Sequence, residues 1–324
     1  MSVAPATSLE RGVAVVSIDT ELAWGESHHC DGAGPRRDYG TERAVIDQIL
    51  AVFDRYDISA TWAIVGHLFL DQCAAVEGRA HPEIVRPESP SSAGDWFDID
   101  PCSTLAADPA YYGRDIVAAI RRSRVPQEIG CHSFSHLIAD GCGEAAFESD
   151  LAACQAVAAG DGLDVRSFVY PRNAIGHIDV LHRHGFISYR GSATAPVATA
   201  GRLVRYADRL RPLARSAVVP ARHPSGVWNV PQTYLFAPAT RARHVPVGLW
   251  ARRPIARMRL AARERSLFHL WFHPYNVTAA PDRALRGLEA ICRAAARLRD
   301  AGRLDILTMG ALAARLEADR PDAT

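Results

Sequence analysis

His132 and His136 stand four residues apart in the stretch EIGCHSFSH. On a helical turn that spacing would put both imidazoles on one face, close enough to share a metal ion. Asp19 and Glu21, two apart in SIDTE, point to the same side if a strand runs through them. One carboxylate could join the histidines on the metal while the other takes a proton from water. Two imidazoles and one carboxylate leave open positions on a divalent ion, as metal-assisted hydrolysis requires. His273, in LWFHPYN, reads as a general acid for a leaving group. His269 shares its strand face but sits deeper in the apolar run, as a hydrogen-bonded core histidine would. Arg172, followed by Asn173 in YPRN, offers a guanidinium to pair with a carboxylate or grip an anionic substrate. Trp24, Trp62 and Trp271 lie near the same places, and aromatic faces stack sugars as well as fill cores. His28 and His29 read as a surface pair.

These residues need elements that bring them together. Val13–Ile18 reads as a buried strand, and Thr41–Tyr56 as a helix with Val45, Ile49, Val52 and Phe53 inward. Strands at Ala60–Val65, Glu128–His132, Ser167–Tyr170, Ile187–Arg190, Val227–Val230, Leu267–Phe272 and Leu304–Leu307 alternate with helices. The helices fall at Tyr111–Arg124, Glu144–Ala158, Ala174–His184, which Gly185 closes, and Asp282–Asp300. That alternation argues for a parallel sheet covered by helices, curled into a barrel. In such a barrel, reactive groups collect at the C-terminal ends of strands. Those ends carry Asp19 and Glu21, His132 and His136, Arg172 and Asn173, and His273. Two stretches break the rhythm, at about 72–109 and 194–254, and are too long for ordinary connections. They read as elaborations of a single domain spanning 1–324.

Composition narrows the chemistry further. All 37 basic residues of the 324 are arginine, balanced by 36 acidic ones for a net charge of +1. Without lysine there is no Schiff base, no pyridoxal-phosphate anchor and no P-loop lysine. The near-neutral balance gives no nucleic-acid footprint. The seven cysteines are odd in number, scattered and free of CxxC pairs, as expected of reduced thiols in a cytoplasmic protein. No secretory signal or membrane span is read in the sequence, so a cytoplasmic location is expected.

The ordered pieces VVSIDTELAWG, ATWAIVG, EIGCHSFSH, SFVYPRN, LWFHPYN and DILTMG resemble the polysaccharide deacetylase family, also called the NodB-homology group or carbohydrate esterase family 4. HSFSH, matching the family's H-S/T-x-x-H motif, is the most specific piece. The resemblance runs from Val13 to about Met309. It implies a distorted (β/α) barrel of about seven parallel strands, one divalent metal and hydrolysis of an N-acyl group on a sugar. Carried over by position, His132 and His136 become metal ligands and His273 the general acid. Two motifs depart from the family. Its paired aspartates, base then ligand, are here Asp19 and Thr20, with Glu21 the next acid. Its Arg-before-Pro becomes Arg172 after Pro171.

The resulting expectation is a metal-dependent carbohydrate N-deacylase acting on an intracellular amino sugar or glycosylated metabolite. Asp19, His132 and His136 would hold the metal, zinc first among the divalent ions. Glu21 would be the base, with the reverse division of the two carboxylate roles as the alternative. Arg172, Asn173, Trp24 and Trp271 would contact the acylated amino sugar. The alternatives are hydrolysis of another carbon–nitrogen bond, in a formamide or ureide, and a non-catalytic carbohydrate-binding relative.

Overall fold

A computed structural model of the chain describes residues 9–29, 38–87, 95–192, 217–237 and 246–320. Its centre is β1 (Gly12–Thr20), whose nine residues are all buried. β1 lies between β9 (Leu267–Phe272) on one edge and, on the other, β10 (Leu304–Ile306) at its start and β2 (Thr61–Ile64) at its end, all parallel to it. The sheet continues in parallel through β3 (Glu128–Cys131), β4 (Ser167–Val169) and β5 (Ser188–Arg190). The stretch from Trp228 to Leu235 then joins its two ends. Its start, β7 (Trp228–Asn229), pairs with β5, and its end, β8 (Tyr234–Leu235), pairs with β9. The sheet therefore curls into a distorted barrel. A two-residue strand, β6 (Ala221–Arg222), is antiparallel to β7.

Alternation along β1 sorts its side chains. Ala14, Val16 and Ile18 pack outward into the large core beneath the helices. Val13 and Val15 point inward, where Leu267, Met309 and Leu312 also lie. Ser17 and Asp19 continue that inward face toward the C-terminal end. The barrel interior thus changes from apolar at the bottom to polar at the mouth. β9 repeats the grading, from Leu267 through His269 and Trp271 to His273.

The helices cover the outside. α1 (Tyr39–Tyr56) is capped by Asp38, whose side chain accepts from the Thr41 N–H. α2 (Arg114–Arg121) is shorter than the sequence pattern indicates, as is α4 (Ile178–Arg183), while α3 (Glu144–Gly160) runs slightly longer. Gly185, just past α4, adopts φ 78°, the left-handed turn that glycine permits.

The described parts of the second irregular stretch, 217–237 and 246–254, include regular structure despite its prolines. α5 (Val247–Glu264) begins inside it and contains Pro254 in its interior. A mid-helix proline forfeits one backbone hydrogen bond, but Pro254 lies on the buried face with Ala251, Met258 and Ala261, so packing overrides the local signal. This helix passes so close to β1 that a Cβ on Gly12 would come within 2.5 Å of the Ala262 Cα. Residues 194–216 of the same stretch lie outside the described residues. α6 (Tyr275–Thr278), α7 (Pro281–Asp300) and α8 (Met309–Ala318) complete the layer. No helix among the described residues is long and apolar enough to cross a membrane.

Candidate active site

Glu21 follows β1 directly, in a buried position at the mouth of the barrel. Three imidazoles surround its Oε1: His132 Nε2 at 3.2 Å, His136 Nε2 at 3.3 Å and His273 Nε2 at 3.1 Å. His132 comes from the end of β3 and His273 from the end of β9. His132 Nδ1 donates to the Val169 carbonyl at 2.7 Å, so a neutral ring turns its Nε2 lone pair toward the carboxylate. Two acceptors held this close need protons or a shared cation between them. Glu21, His132 and His136 have the donor types and spacing to hold a divalent ion.

The HxxxH segment is not the helical turn that its spacing suggests. Residues 132–138 are irregular backbone, with Ser133 and His136 at φ 64° and 60°. These left-handed residues bend the chain so that both rings face one point, their centroids 5.2 Å apart. Buried Asp150 holds the bend. Its carboxylate accepts from the backbone N–H groups of Phe134 and Ser135 and from the Ser135 hydroxyl, at 2.6, 3.0 and 2.7 Å.

Asp19 is held by Arg190. Both its oxygens are taken by Arg190, at 2.5 and 2.6 Å, and His273 Nε2 is 3.6 Å from Oδ2. Arg190 is fully buried and also donates to Ser17 Oγ and Asn173 Oδ1. Its guanidinium carbon lies 4.5 Å above the Trp271 ring. Burial pushes the Asp19 carboxyl upward, but the Arg190 charge and the nearby His273 outweigh it and leave it below the usual range. Burial likewise opposes ionisation of Glu21, yet His273 and His136 hold it well below the ordinary value. His273 is desolvated, which lowers its pKa, but Glu21 and Asp19 raise it above the usual histidine value. His136 is shifted down, burial prevailing over Glu21.

The geometry thus brings Asp19, Glu21, His132, His136 and His273 to one place, with Asn173 and Trp271 behind Arg190. Three sequence expectations need correction. Glu21, not Asp19, faces both histidines. Arg172 is exposed, on a residue at φ 54°, and the arginine that grips the carboxylate is Arg190. The signal for Arg190 is an arginine closing a buried strand, two residues after an inward serine. Trp24 is wholly buried; its indole donates to the Tyr111 carbonyl and packs at a tilt against His67, which leaves no face for a sugar. Trp62 is also core, donating to Gln127. His269 is a buried, hydrogen-bonded histidine between Val230 and Ser17. The His28 and His29 side chains lie outside the described residues.

Comparison with known proteins places this geometry in a wider setting. No family profile and no curated protein sequence matches the chain. Among solved structures, one described as a polysaccharide deacetylase from Mycobacterium smegmatis matches with a TM-score of 0.61 and 14% identity, covering 98% of this chain and 95% of that one. Another so described, from Pseudomonas aeruginosa PAO1, matches with a TM-score of 0.61 and 11% identity, over 96% and 93%. An allantoinase matches with a TM-score of 0.60 and 13% identity, over 98% and 95%. At these identities the likeness concerns the fold. The curled parallel sheet, its covering helices and these neighbours give the chain the fold of the polysaccharide deacetylases.

Proposed function

We propose that this protein is a metal-dependent hydrolase that removes an N-acyl group from an amino sugar or a glycosylated metabolite. The observation that carries the reading is Glu21 Oε1, ringed by three imidazole nitrogens at 3.1–3.3 Å, beside a second carboxylate locked by an arginine. Glu21, His132 and His136 would hold the ion, with zinc the natural choice for a nitrogen and carboxylate donor set. A divalent ion there would polarise the scissile carbonyl and acidify water.

The chain's own groups complete the chemistry. Asp19, ionised and fixed by Arg190, accepts a proton from the attacking water. His273 remains protonated to higher pH than an ordinary histidine and donates to the departing nitrogen. The carboxylate roles are therefore the reverse of those favoured from sequence. Asn173 steadies Arg190, and Trp271 forms part of the wall beside His273. The intracellular setting belongs to the same proposal and rests on the scattered cysteines.

The allantoinase fold neighbour favours a second reading, hydrolysis of a ureide carbon–nitrogen bond. A metal-loaded screen of N-acyl sugars, nucleotide sugars and ureides, read as released acid or opened ring, separates the two. Release of acid from an N-acyl sugar is the expected result. Turnover of ureides alone would replace it. No turnover of any member by fully loaded protein would favour a binding role.

A further inference from the structure

A second group of metal-ligating side chains lies outside the site just described. His67 follows β2 in the short 3-10 turn Gly66–Phe69. Cys73, His81 and Asp100 come from the irregular stretch that follows. The candidate ligand atoms of these four residues lie within 4.8 Å of one another.

His67, Cys73 and His81 converge on Asp100, and Cys73 Sγ also lies 3.2 Å from the Tyr112 hydroxyl. Asp100 Oδ1 accepts from the Cys102 N–H at 2.9 Å. Asp100 Oδ2 faces His67 Nε2 at 3.0 Å, His81 Nε2 at 3.1 Å and Cys73 Sγ at 3.3 Å. His67 is fully buried, and its Nδ1 donates to the Tyr111 carbonyl at 3.0 Å. With Nδ1 so engaged, His67 turns its Nε2 to a carboxylate oxygen 3.0 Å away. This is the arrangement of His132 and Glu21 repeated elsewhere, again with a carbonyl fixing the tautomer. Bonds of about 2.0–2.2 Å in a zinc tetrahedron set ligand atoms about 3.3–3.6 Å apart. The three separations around Oδ2 lie within a few tenths of an ångström of that range.

We propose that His67, Cys73, His81 and Asp100 form a second divalent-cation site, of the closed, thiolate-containing kind that zinc occupies structurally. Four protein ligands leave no open position for water, so the role is structural. Such an ion would tie Cys73, His81 and Asp100 to His67 at the barrel end of β2. That tie reaches toward the first site. Trp96, on the tied segment, donates to Ser135 Oγ at 2.9 Å within the HSFSH bend, and His81 and Phe97 pack against Phe134.

Metal analysis and cobalt substitution test this independently of any activity. Protein loaded with zinc and freed of excess should hold two equivalents. The His132→Ala, His136→Ala double variant should keep one. The cobalt form of the unmutated protein should show thiolate-to-cobalt charge-transfer absorption in the near ultraviolet, which a carboxylate and two imidazoles cannot give. Cys73→Ser should lose that absorption, and Cys102→Ser should retain it. Selective loss of the second ion should speed proteolysis within residues 70–112. A single equivalent, lost entirely with His132 and His136, would overturn the proposal. So would a cobalt protein without a charge-transfer band, which would leave His67 and Asp100 as a simple ion pair.

Discussion

Arg190 holds Asp19 by both carboxylate oxygens, at 2.5 and 2.6 Å, although the two residues are 171 positions apart in sequence. The pair joins the end of β5 to the end of β1 across the barrel mouth. Bidentate contact fixes the plane of the carboxylate as well as its charge. Burial alone would push Asp19 toward its neutral form, and Arg190 is the main group that reverses this. Removing the arginine from such a pair leaves a carboxylate desolvated and uncompensated.

Arg190→Gln should therefore move the acidic limb of the kcat/KM profile to higher pH. The sign follows from Asp19: with Arg190 gone, burial is less opposed, its pKa rises, and the base is protonated over more of the pH range. Turnover at neutral pH should fall by about 10²-fold or more. Arg190→Lys should reverse part of the pH shift, because it keeps the charge but not the bidentate geometry. An unmoved acidic limb would show that Arg190 does not act through Asp19.

The two carboxylates should separate in a joint measurement of metal content and turnover. If the proposed site holds its ion, Glu21→Gln should lose it together with activity, because Glu21 faces both His132 and His136. Asp19→Asn should keep the ion and lose about 10²–10⁴-fold in turnover, the usual contribution of a general base. His273→Ala should also keep the ion and fall within that range. Loss of metal from Asp19→Asn with retention in Glu21→Gln would reverse the assignment.

The strand ends are legible where parallel strands buried on both faces read as apolar runs that stop at a polar residue, Val13–Ile18 at Asp19 and Leu267–Phe272 at His273. Leu267–Phe272 matches its sequence pattern residue for residue. What spacing alone misread was backbone shape. His132 and His136 suit a helical turn in sequence, but Ser133 and His136 take left-handed conformations that periodicity does not report. Arg190 is not recognisable as a site residue from its own strand, because its partner Asp19 lies on a distant one. Pro254 concealed a helix because proline weakens helices locally while burial is decided by the whole fold. The His67 cluster escaped for a similar reason: its members are spaced irregularly, and loop folding brings them together.

Asp150 should be needed for the HSFSH bend. It is buried and accepts three hydrogen bonds from Phe134 and Ser135. Asp150→Ala leaves two backbone donors and one hydroxyl without that acceptor, at about 1–3 kcal/mol for each group left unsatisfied. The bend orients His136, so affinity for the active-site ion should fall about 10–100-fold, the range found when groups behind metal ligands are removed. Denaturant unfolding and competitive chelation measure the two effects. Unchanged metal affinity in a destabilised variant would reduce Asp150 to a stabilising role.

His269 should make part of the stability dependent on acid. Its Nδ1 donates to the Val230 carbonyl at 3.2 Å, and its Nε2 accepts from the Ser17 hydroxyl at 2.9 Å. Burial foremost, and then the Arg190 charge, lower its pKa from the ordinary 6.5 to about 3. The unfolded chain protonates this residue near 6.5, while the folded chain resists until about 3. Between those values the unfolded state binds more protons, so the His269 contribution is complete above about 6.5 and declines as pH falls. Over the steep part of that window the decline is about 1.4 kcal/mol per pH unit. His269→Asn removes the titrating group as well as its packing, so the variant should be less stable than the parent at pH 7. The stability gap between them should then narrow steadily as the pH is lowered from 6.5 toward 4. Measuring unfolding of both proteins by denaturant across that range isolates His269 from the carboxylates, whose titration is common to the two. Parallel stability curves would mean that His269 carries the same charge in the folded and unfolded states, contrary to its buried setting beside Arg190.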